Sequence, residues 1–168
     1  PAEGAAVVVV KFNDYQCPPC RQTYMEYQSV FARFTASRPG MVRYVVRDFP
    51  LESECNAGVT SDLHSAACEA AAAVRLAREH GRAEALEAWL FENQPSMTPE
   101  RVVEAAREVG QVTDFAARYA STLEDVRADI EFGRQHGVRA TPTFFINGVM
   151  IPGGLPPHLF EQALEYEL

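Results

Sequence analysis

The chain is short of positive charge and contains no hydrophobic run of transmembrane length. Its 168 residues include 15 Lys and Arg against 23 Asp and Glu, a formal net charge of −8, and Lys11 is the only lysine. This acidic balance argues against nucleic acid or an anionic membrane surface as a partner. No apolar stretch reaches the roughly 20 residues of a transmembrane helix. At this length we expect one domain, residues 1–168, with a substantial core.

The first residues show no signal-peptide pattern. No basic segment followed by an apolar one precedes the first apolar run at Val7, and the chain begins at Pro1 rather than Met. An upstream targeting or membrane-anchoring segment, removed from a longer precursor, is consistent with this start. The N-terminus therefore does not decide the location of the protein.

Cysteine is scarce, but two of the four cysteines stand close together. They frame the run Cys17-Pro18-Pro19-Cys20, directly after the apolar residues 7–12. A CxxC motif between a β-branched run and an amphipathic helix indicates a redox site. A haem attachment site is excluded, because Arg21 rather than His follows the motif.

The helix that follows the motif predicts unequal roles for the two thiols. Its apolar face carries four aromatic residues at spacings of 3, 4 and 3, namely Tyr24, Tyr27, Phe31 and Phe34. Prolines suit the first helical turn, where N–H groups have no intrahelical partner. Cys17 then lies at the positive end of the helix dipole, which favours its thiolate. We expect Cys17 to be the exposed attacking thiolate and Cys20 the shielded resolving thiol; a static structural disulfide is the alternative.

The remaining patterns predict the order β-α-β, a helical block, then β-β-α. Strands are expected at about 6–13 and 41–47, with the motif helix at about 18–37 between them. Residues at about 62–137 have helical patterns, with one helix start at Thr98-Pro99-Glu100 and capping-box spacing between Ser121 and Glu124. Near the end, Asn147-Gly148 between apolar runs is a strong hairpin signal.

This order, with CPPC after the first strand, resembles the DsbA-like form of the thioredoxin fold. The specific motifs are residues 14–20, DYQCPPC, and residues 139–148, RATPTFFING. The resemblance implies an α/β thioredoxin-like fold with a helical insertion at about 62–137. It also implies that Pro142 follows a cis peptide bond and faces the CxxC motif, while Thr141 offers backbone groups to the bound substrate. A cis peptide bond has a low free-energy cost only before proline, which agrees with this expectation.

A second pair of cysteines, Cys55 and Cys68, stands at the entry to the helical block. Four cysteines in a secreted protein are most economically two disulfides. Residues 48–51, 55–56 and 64–71 look like the subgroup of DsbA-like domains associated with vitamin K epoxide reductase homologues, and that resemblance suggests a second disulfide. Two roles stay open for it: a structural staple, or a relay that exchanges electrons with Cys17–Cys20.

Lys11 is a departure from the family pattern. Six positions before the first active-site cysteine, relatives usually carry a buried acid. A nearby ammonium would instead favour the thiolate and make the Cys17–Cys20 disulfide more oxidising. Alternatively, the side chain reaches the surface and has no effect on the thiols.

The resemblance implies an extracytoplasmic, periplasmic thiol–disulfide oxidoreductase that acts on cysteine-containing protein substrates. We expect the oxidising direction, with reoxidation by a quinone-linked membrane partner of the vitamin K epoxide reductase or DsbB type. A reductase or isomerase is the alternative direction. No organic cofactor and no metal site are expected, because the electrons travel on sulfur. Two non-enzymatic alternatives stay open: a Cys₄ zinc site, and a binding or chaperone module.

Overall fold

The computed structural model describes residues 4–60 and 63–168, which form a four-stranded mixed sheet with helices on both faces. The predicted order of β-α-β, helical block and β-β-α is confirmed. The elements are β1 (Val7–Asn13), α1 (Pro18–Ser37), β2 (Val42–Asp48), α2 (Ala67–Arg78), α3 (Ala83–Glu92), a 3₁₀ turn (Gln94–Ser96), α4 (Pro99–Glu108), α5 (Phe115–Gln135), β3 (Thr143–Ile146), β4 (Val149–Pro152) and α6 (Pro157–Glu167).

The sheet has the strand order β2-β1-β3-β4. β1 is parallel to β2 and antiparallel to β3, and β3 and β4 form the predicted hairpin. Asn147 and Gly148 both have positive φ at the hairpin turn, as the Asn-Gly signal predicts. Because β1 and β3 are neighbours, Phe12 pairs with Thr143. The chain just after β1 and the chain just before β3 therefore meet at the same end of these two central strands.

Two buried clusters cover the sheet. On one face, α1 and α6 pack through aromatic rings, and the Tyr27 ring stacks on Phe160 at a centroid distance of 3.9 Å. On the other face, Phe12 of β1 contacts Phe49 and Phe132. Gly133 of α5 lies so close that a Cβ atom there would stand 2.8 Å from the Phe12 ring. A glycine at this position lets α5 lie directly against the sheet.

The helical block confirms one predicted helix start and corrects another. Thr98 caps α4, and its side chain accepts a hydrogen bond from the Arg101 N–H. The capping-box prediction at Ser121 is wrong, because α5 runs unbroken from Phe115 to Gln135. The Ser121 hydroxyl instead donates to the Arg118 carbonyl within the helix. The predicted start of the insertion at 62 lies outside the described residues.

Candidate active site

The first strand delivers the CxxC motif to the start of α1. Cys17 is the N-cap residue of α1, the two prolines occupy its first positions, and Cys20 lies in its first turn. Cys17 and Cys20 are free thiols, and both are buried, at 4% and 0% exposure. The prediction that Cys17 is exposed is therefore wrong, while that of a shielded Cys20 agrees with its burial. The cause is the segment before β3, which lies against the Cys17 sulfur.

That segment belongs to the motif of residues 139–148 and lies next to the CxxC motif. The Thr141–Pro142 peptide bond is cis. In its protonated form Cys17 Sγ donates a hydrogen bond to the Thr141 carbonyl at 3.4 Å, although the two residues stand 124 positions apart. The Thr143 hydroxyl donates to the Ala140 carbonyl at 2.7 Å and so holds the bend. Cys17 and Thr141 are thus direct neighbours in the structure.

The surroundings of the two thiols shift their pKa values in opposite directions. A hydrogen bond from the Cys20 thiol lowers the pKa of Cys17 to about 6, against the opposing effect of burial, and the Thr141 side chain lowers it further. Burial raises the pKa of Cys20 well above its ordinary value, and the hydrogen bond to Cys17 adds to that effect. Near neutral pH the pair therefore combines a thiolate at Cys17 with a protonated thiol at Cys20.

Lys11 lies behind Cys20 and does not reach the surface. Its side chain is 1% exposed, and Nζ donates a hydrogen bond to the Cys20 carbonyl at 2.9 Å. Burial lowers the pKa of Lys11, and the nearby charges of Cys20, Glu87 and Cys17 oppose that shift. In turn the lysine lowers the pKa of Cys20, against the larger effect of burial. The alternative that Lys11 snorkels to solvent is thereby excluded.

Asp14 connects the active-site loop, residues 14–17 between β1 and α1, to the segment between β2 and α2. One carboxylate oxygen accepts a hydrogen bond from the backbone N–H of Gln16 at 2.7 Å. The other accepts from the N–H of Leu51 at 2.8 Å and lies 2.6 Å from Nδ1 of His64. The hydrogen bond to Asp14 raises the pKa of His64. The sequence alone did not identify His64 as part of this site, because no local pattern relates it to a residue 50 positions away.

The helical block also holds the active-site loop directly. Gln94, in the 3₁₀ turn, donates from Nε2 to the carbonyls of Tyr15 at 2.7 Å and Cys17 at 3.1 Å. Arg21 donates from Nε to the Phe91 carbonyl at 2.8 Å. Sequence reasoning missed Gln94, since a lone glutamine in a turn carries no motif. The insertion therefore holds the backbone at Tyr15 and Cys17 and the Arg21 side chain that follows the motif.

The second cysteine pair is joined, as predicted. Cys55 and Cys68 form a disulfide that ties the segment after β2 to the first turn of α2. Glu52 lies beside it, and its Oε2 accepts a hydrogen bond from the Cys68 N–H at 2.9 Å. Burial raises the pKa of Glu52 to about 7.

The four-cysteine zinc alternative does not fit this arrangement. Zinc binds cysteine as the thiolate, and Cys55 and Cys68 use their sulfurs in the disulfide. Glu52, Glu54 and Cys68 have donor atoms within 4.8 Å of one another. The sulfur of that group is the disulfide sulfur of Cys68, which leaves two carboxylates as ligands.

The CxxC pair lies at the start of a helix and contacts a cis-proline segment at one end of a mixed sheet. This arrangement defines a dithiol protein of the thioredoxin fold. The chain belongs to the thioredoxin family: the family model described as Thioredoxin matches residues 2–166.

Solved structures agree with this assignment. A thioredoxin-like oxidoreductase from Silicibacter pomeroyi is 26% identical, with a TM-score of 0.70 over 98% of this chain and 88% of the other. The fold also matches the thiol-disulfide exchange protein alpha-DsbA2 of Wolbachia pipientis, at 17% identity and a TM-score of 0.71 over 98% and 83% of the two chains. A periplasmic thioredoxin-like protein from Salmonella enterica serovar Typhimurium is 22% identical, with a TM-score of 0.72 over 99% and 86%. The predicted DsbA-like fold and oxidoreductase class are confirmed.

A curated relative is much longer than this chain. The Na⁺/H⁺ antiporter NhaA 3 of Salinispora tropica is 29% identical over 150 residues, which cover 86% of this chain and 20% of the antiporter. The chain thus spans about a fifth of that relative. Within residues 4–60 and 63–168, no helix combines the length and apolarity needed to cross a membrane. The narrower resemblance to the vitamin K epoxide reductase subgroup stays a prediction.

Proposed function

We propose that the chain is an extracytoplasmic oxidase of protein thiols, and that Cys17 and Cys20 are its exchanging pair. The observation that carries this proposal is the opposite pKa shift of two neighbouring thiols. Stabilising the Cys17 thiolate stabilises the reduced pair, and a stabilised reduced form makes the corresponding disulfide a stronger oxidant. The DsbA resemblance implies a histidine between the two cysteines in many relatives, and its absence from CPPC argues for a milder oxidant than DsbA.

The reaction proceeds by two thiol–disulfide exchanges. A substrate thiolate attacks Cys17 Sγ of the Cys17–Cys20 disulfide, a mixed disulfide forms, and Cys20 leaves with the electron pair. A second substrate thiolate attacks the substrate sulfur of the mixed disulfide, and Cys17 leaves as its stabilised thiolate. The substrate loses two electrons and gains a disulfide, while Cys17 and Cys20 become reduced.

Thr141 is proposed as the substrate contact. Its carbonyl lies against Cys17 Sγ, so an extended substrate segment that reaches the sulfur also reaches this backbone. Pairing of that segment with residues 141–142 as an added strand would recognise backbone atoms rather than side chains. We therefore expect broad selectivity among unfolded, cysteine-containing proteins.

The location and the electron acceptor are part of the same proposal. A disulfide at Cys55–Cys68 is typical of oxidising compartments. Similarity to part of an ion antiporter supports a position beside a membrane. A quinone-linked membrane protein would then reoxidise Cys17–Cys20. We further propose that residues 1–168 act as one domain, since Asp14, Gln16 and Gln94 join the active-site loop to the helical insertion.

The test compares both directions of the reaction under one glutathione buffer. Reduced, unfolded ribonuclease measures oxidation, and insulin measures reduction. Faster recovery of ribonuclease activity with little insulin reduction supports the oxidase. The reverse result would identify a reductase, and faster recovery only from scrambled ribonuclease an isomerase. A protein that suppresses aggregation without changing any thiol would be a chaperone, contrary to the proposal.

A further inference from the structure

A small cleft beside the cis-proline segment is lined by two arginines. Its volume is about 260 Å³, which is small for an organic ligand but enough for one side chain. Arg134 and Arg139 line it together with four apolar residues, namely Phe49, Leu51, Val59 and Val138. The described lining residues include no Asp or Glu. The cleft is therefore locally positive in a protein whose net charge is −8.

The cleft is close to the exchanging sulfur. Leu51 donates its backbone N–H to the Asp14 carboxylate of the active-site loop at 2.8 Å. Arg139 stands two residues before Thr141, whose carbonyl contacts Cys17 Sγ. The reach of the chain places the Cα atoms of Arg139 and Thr141 at most about 7 Å apart. A substrate segment that reaches Cys17 Sγ is therefore within a few residues of the cleft.

Arg134 is held in the cleft by neighbours that orient its guanidinium. Its Nη2 donates a hydrogen bond to Oδ1 of Asn56. Asn56 is itself 1% exposed, and its Nδ2 donates to the Pro50 carbonyl at 2.7 Å. Gly58 leaves room for the guanidinium, because a Cβ atom there would stand 1.9 Å from Nη2. The arginine is thus preorganised, which reduces the entropy cost of binding a ligand.

Arg139 uses only part of its guanidinium within the protein. Its Nη1 donates to the carbonyls of Arg134 and Val138, at 3.2 and 2.9 Å, beside the end of α5. Among the residues that the structure describes, Nε and Nη2 of Arg139 have no hydrogen-bond acceptor. Neither arginine forms an ion pair with a carboxylate in that part of the chain. Both guanidinium groups can therefore take an anionic partner from outside.

A carboxylate matches the chemistry of this cleft. Two guanidinium groups favour an anion, and the planar fork of N–H donors on arginine fits the two oxygens of a carboxylate. Apolar neighbours lower the local dielectric constant, which strengthens such a contact. The volume admits one acidic side chain and is too small for a larger anionic ligand.

We propose that this cleft binds an acidic side chain of the protein substrate, near the cysteine that reacts with Cys17. This role rests on the proposed exchange at Cys17–Cys20 and narrows its substrate class. Backbone pairing with residues 141–142 does not distinguish one side chain from another. The two arginines add a preference for acidic segments to that pairing.

The test uses two single-cysteine peptides that differ only in charge. One carries glutamates two and three residues away on each side of its cysteine, and the other carries glutamines there. Two peptide thiols reduce the Cys17–Cys20 disulfide and become a peptide disulfide, and alkylation with mass spectrometry follows the reduced protein. The measured quantity is the rate with the acidic peptide divided by the rate with the neutral one. Comparing this ratio between variants cancels the intrinsic reactivity of each peptide.

The ratio should fall when either arginine loses its charge. We expect a decrease of about 3-fold to 10-fold in Arg134→Gln and in Arg139→Gln, as for a hydrogen bond to a charge that stays partly in water. Added salt should lower the wild-type ratio, because it screens the pair. Arg43→Gln is the matched control and should leave the ratio unchanged. Arg43 is an exposed arginine that pairs with Val8, at the far end of β1 from the CxxC motif.

Gly58→Ala separates the position of the guanidinium from its charge. The added methyl group displaces Arg134 without removing a positive charge. The ratio should fall as in Arg134→Gln, whereas a general electrostatic attraction would leave it unchanged. Because its effect is on a flexible side-chain end, this variant also serves if Arg134→Gln fails to fold.

A carboxylate of the chain itself is the competing occupant. Asp62 lies outside the described residues, three positions after Val59, so Asp62→Asn is measured as well. An unchanged ratio in Asp62→Asn supports a substrate site, whereas a several-fold rise would show that the protein fills its own cleft. Unchanged ratios in both arginine variants, or an equal fall in Arg43→Gln, would also overturn the site. A wild-type disulfide that reacts with neither peptide would instead contradict the proposed function.

Discussion

The Cys17–Cys20 and Cys55–Cys68 pairs are equally buried. The surroundings of the first pair stabilise a thiolate, whereas those of the second destabilise one. In each pair one cysteine is 4% exposed and the other 0%. Cys17 caps a helix N-terminus and receives hydrogen bonds that lower its pKa. Cys68 instead has the carboxylates of Glu52 and Glu54 within 4.8 Å of its sulfur. Negative charge beside a sulfur disfavours its thiolate.

This difference indicates that electrostatics, rather than exposure, separates an exchangeable pair from a stable one. A disulfide whose reduced form gains a stabilised thiolate is easy to reduce, whereas one flanked by acids is not. The neighbouring acid also repels an incoming thiolate. Cys55–Cys68 therefore fits the role of a structural staple better than that of a relay.

The largest expected effect comes from removing one thiol of the exchanging pair. Cys17→Ser should abolish thiol oxidation and any insulin reduction, because the Cys17–Cys20 disulfide cannot form and the remaining Cys20 sulfur is fully buried. Cys20→Ser should accumulate covalent mixed disulfides with substrate, because the intramolecular escape route is lost. Gel mobility without reductant and mass spectrometry detect the trapped species. Substantial activity in Cys17→Ser would contradict its assignment as the nucleophile.

The second pair should respond in stability rather than in turnover. Cys55→Ala with Cys68→Ala removes a bridge across 13 positions, and we expect the free energy of unfolding to fall by about 2–4 kcal/mol. Urea unfolding and the ribonuclease assay measure the two effects side by side. If the double variant unfolds normally but no longer exchanges electrons with a membrane partner, the relay role is correct.

Much of the fold follows from local sequence patterns, and most of the active-site surroundings do not. The β-branched run at β1, the Asn147-Gly148 turn and the Thr98 cap each act over a few residues, so sequence alone predicted them. The Ser121 capping box failed because packing of a continuous helix outweighs a local cap.

Contacts across the helical insertion were beyond local patterns. His64 contacts Asp14, which is 50 positions away in the sequence, and Gln94 contacts Cys17, which is 77 positions away. Their partners depend on how α2 and the 3₁₀ turn pack against the active-site loop, which periodicity does not encode. The meeting of Cys17 with Thr141 was predicted only through the family resemblance.

A smaller effect is expected at the residue beside the Cys17 sulfur. The Thr141 side chain lowers the pKa of Cys17, so Thr141→Val, which keeps the backbone carbonyl, should raise that pKa relative to the protein with Thr141. The ultraviolet absorbance of the thiolate, followed against pH in the Cys20→Ser background, measures the change. Thr122→Val, which removes a buried hydroxyl bonded within α5, is the control. An unchanged pKa of Cys17 would show that the Thr141 side chain does not influence the thiolate.

The smallest expected effect concerns the acid beside the second pair. Burial raises the pKa of Glu52 from 4.5 to about 7, so the folded protein binds this proton more tightly than the unfolded chain. Its contribution to stability is present below pH 4.5 and is lost as pH rises through about 7. Glu52→Gln should therefore make the decline in unfolding free energy across this window shallower. Part of the pH dependence should remain in Glu52→Gln, because the pKa of Asp48 is also raised, to about 6.

The matched control is Glu54→Gln, an exposed neighbour of the same disulfide. It should leave the pH dependence of unfolding almost unchanged. An equal flattening in both variants would show that burial of Glu52 is not the cause.

The most direct test of this account is a redox titration that follows both disulfides in the same molecules. The protein is equilibrated in thiol–disulfide buffers, free thiols are alkylated, and peptide masses report the state of each pair. We expect Cys17–Cys20 to have a reduction potential between about −270 and −120 mV and Cys55–Cys68 one below about −300 mV. Equal potentials, or a more easily reduced Cys55–Cys68, would contradict the assignment of exchange to the first pair and structure to the second.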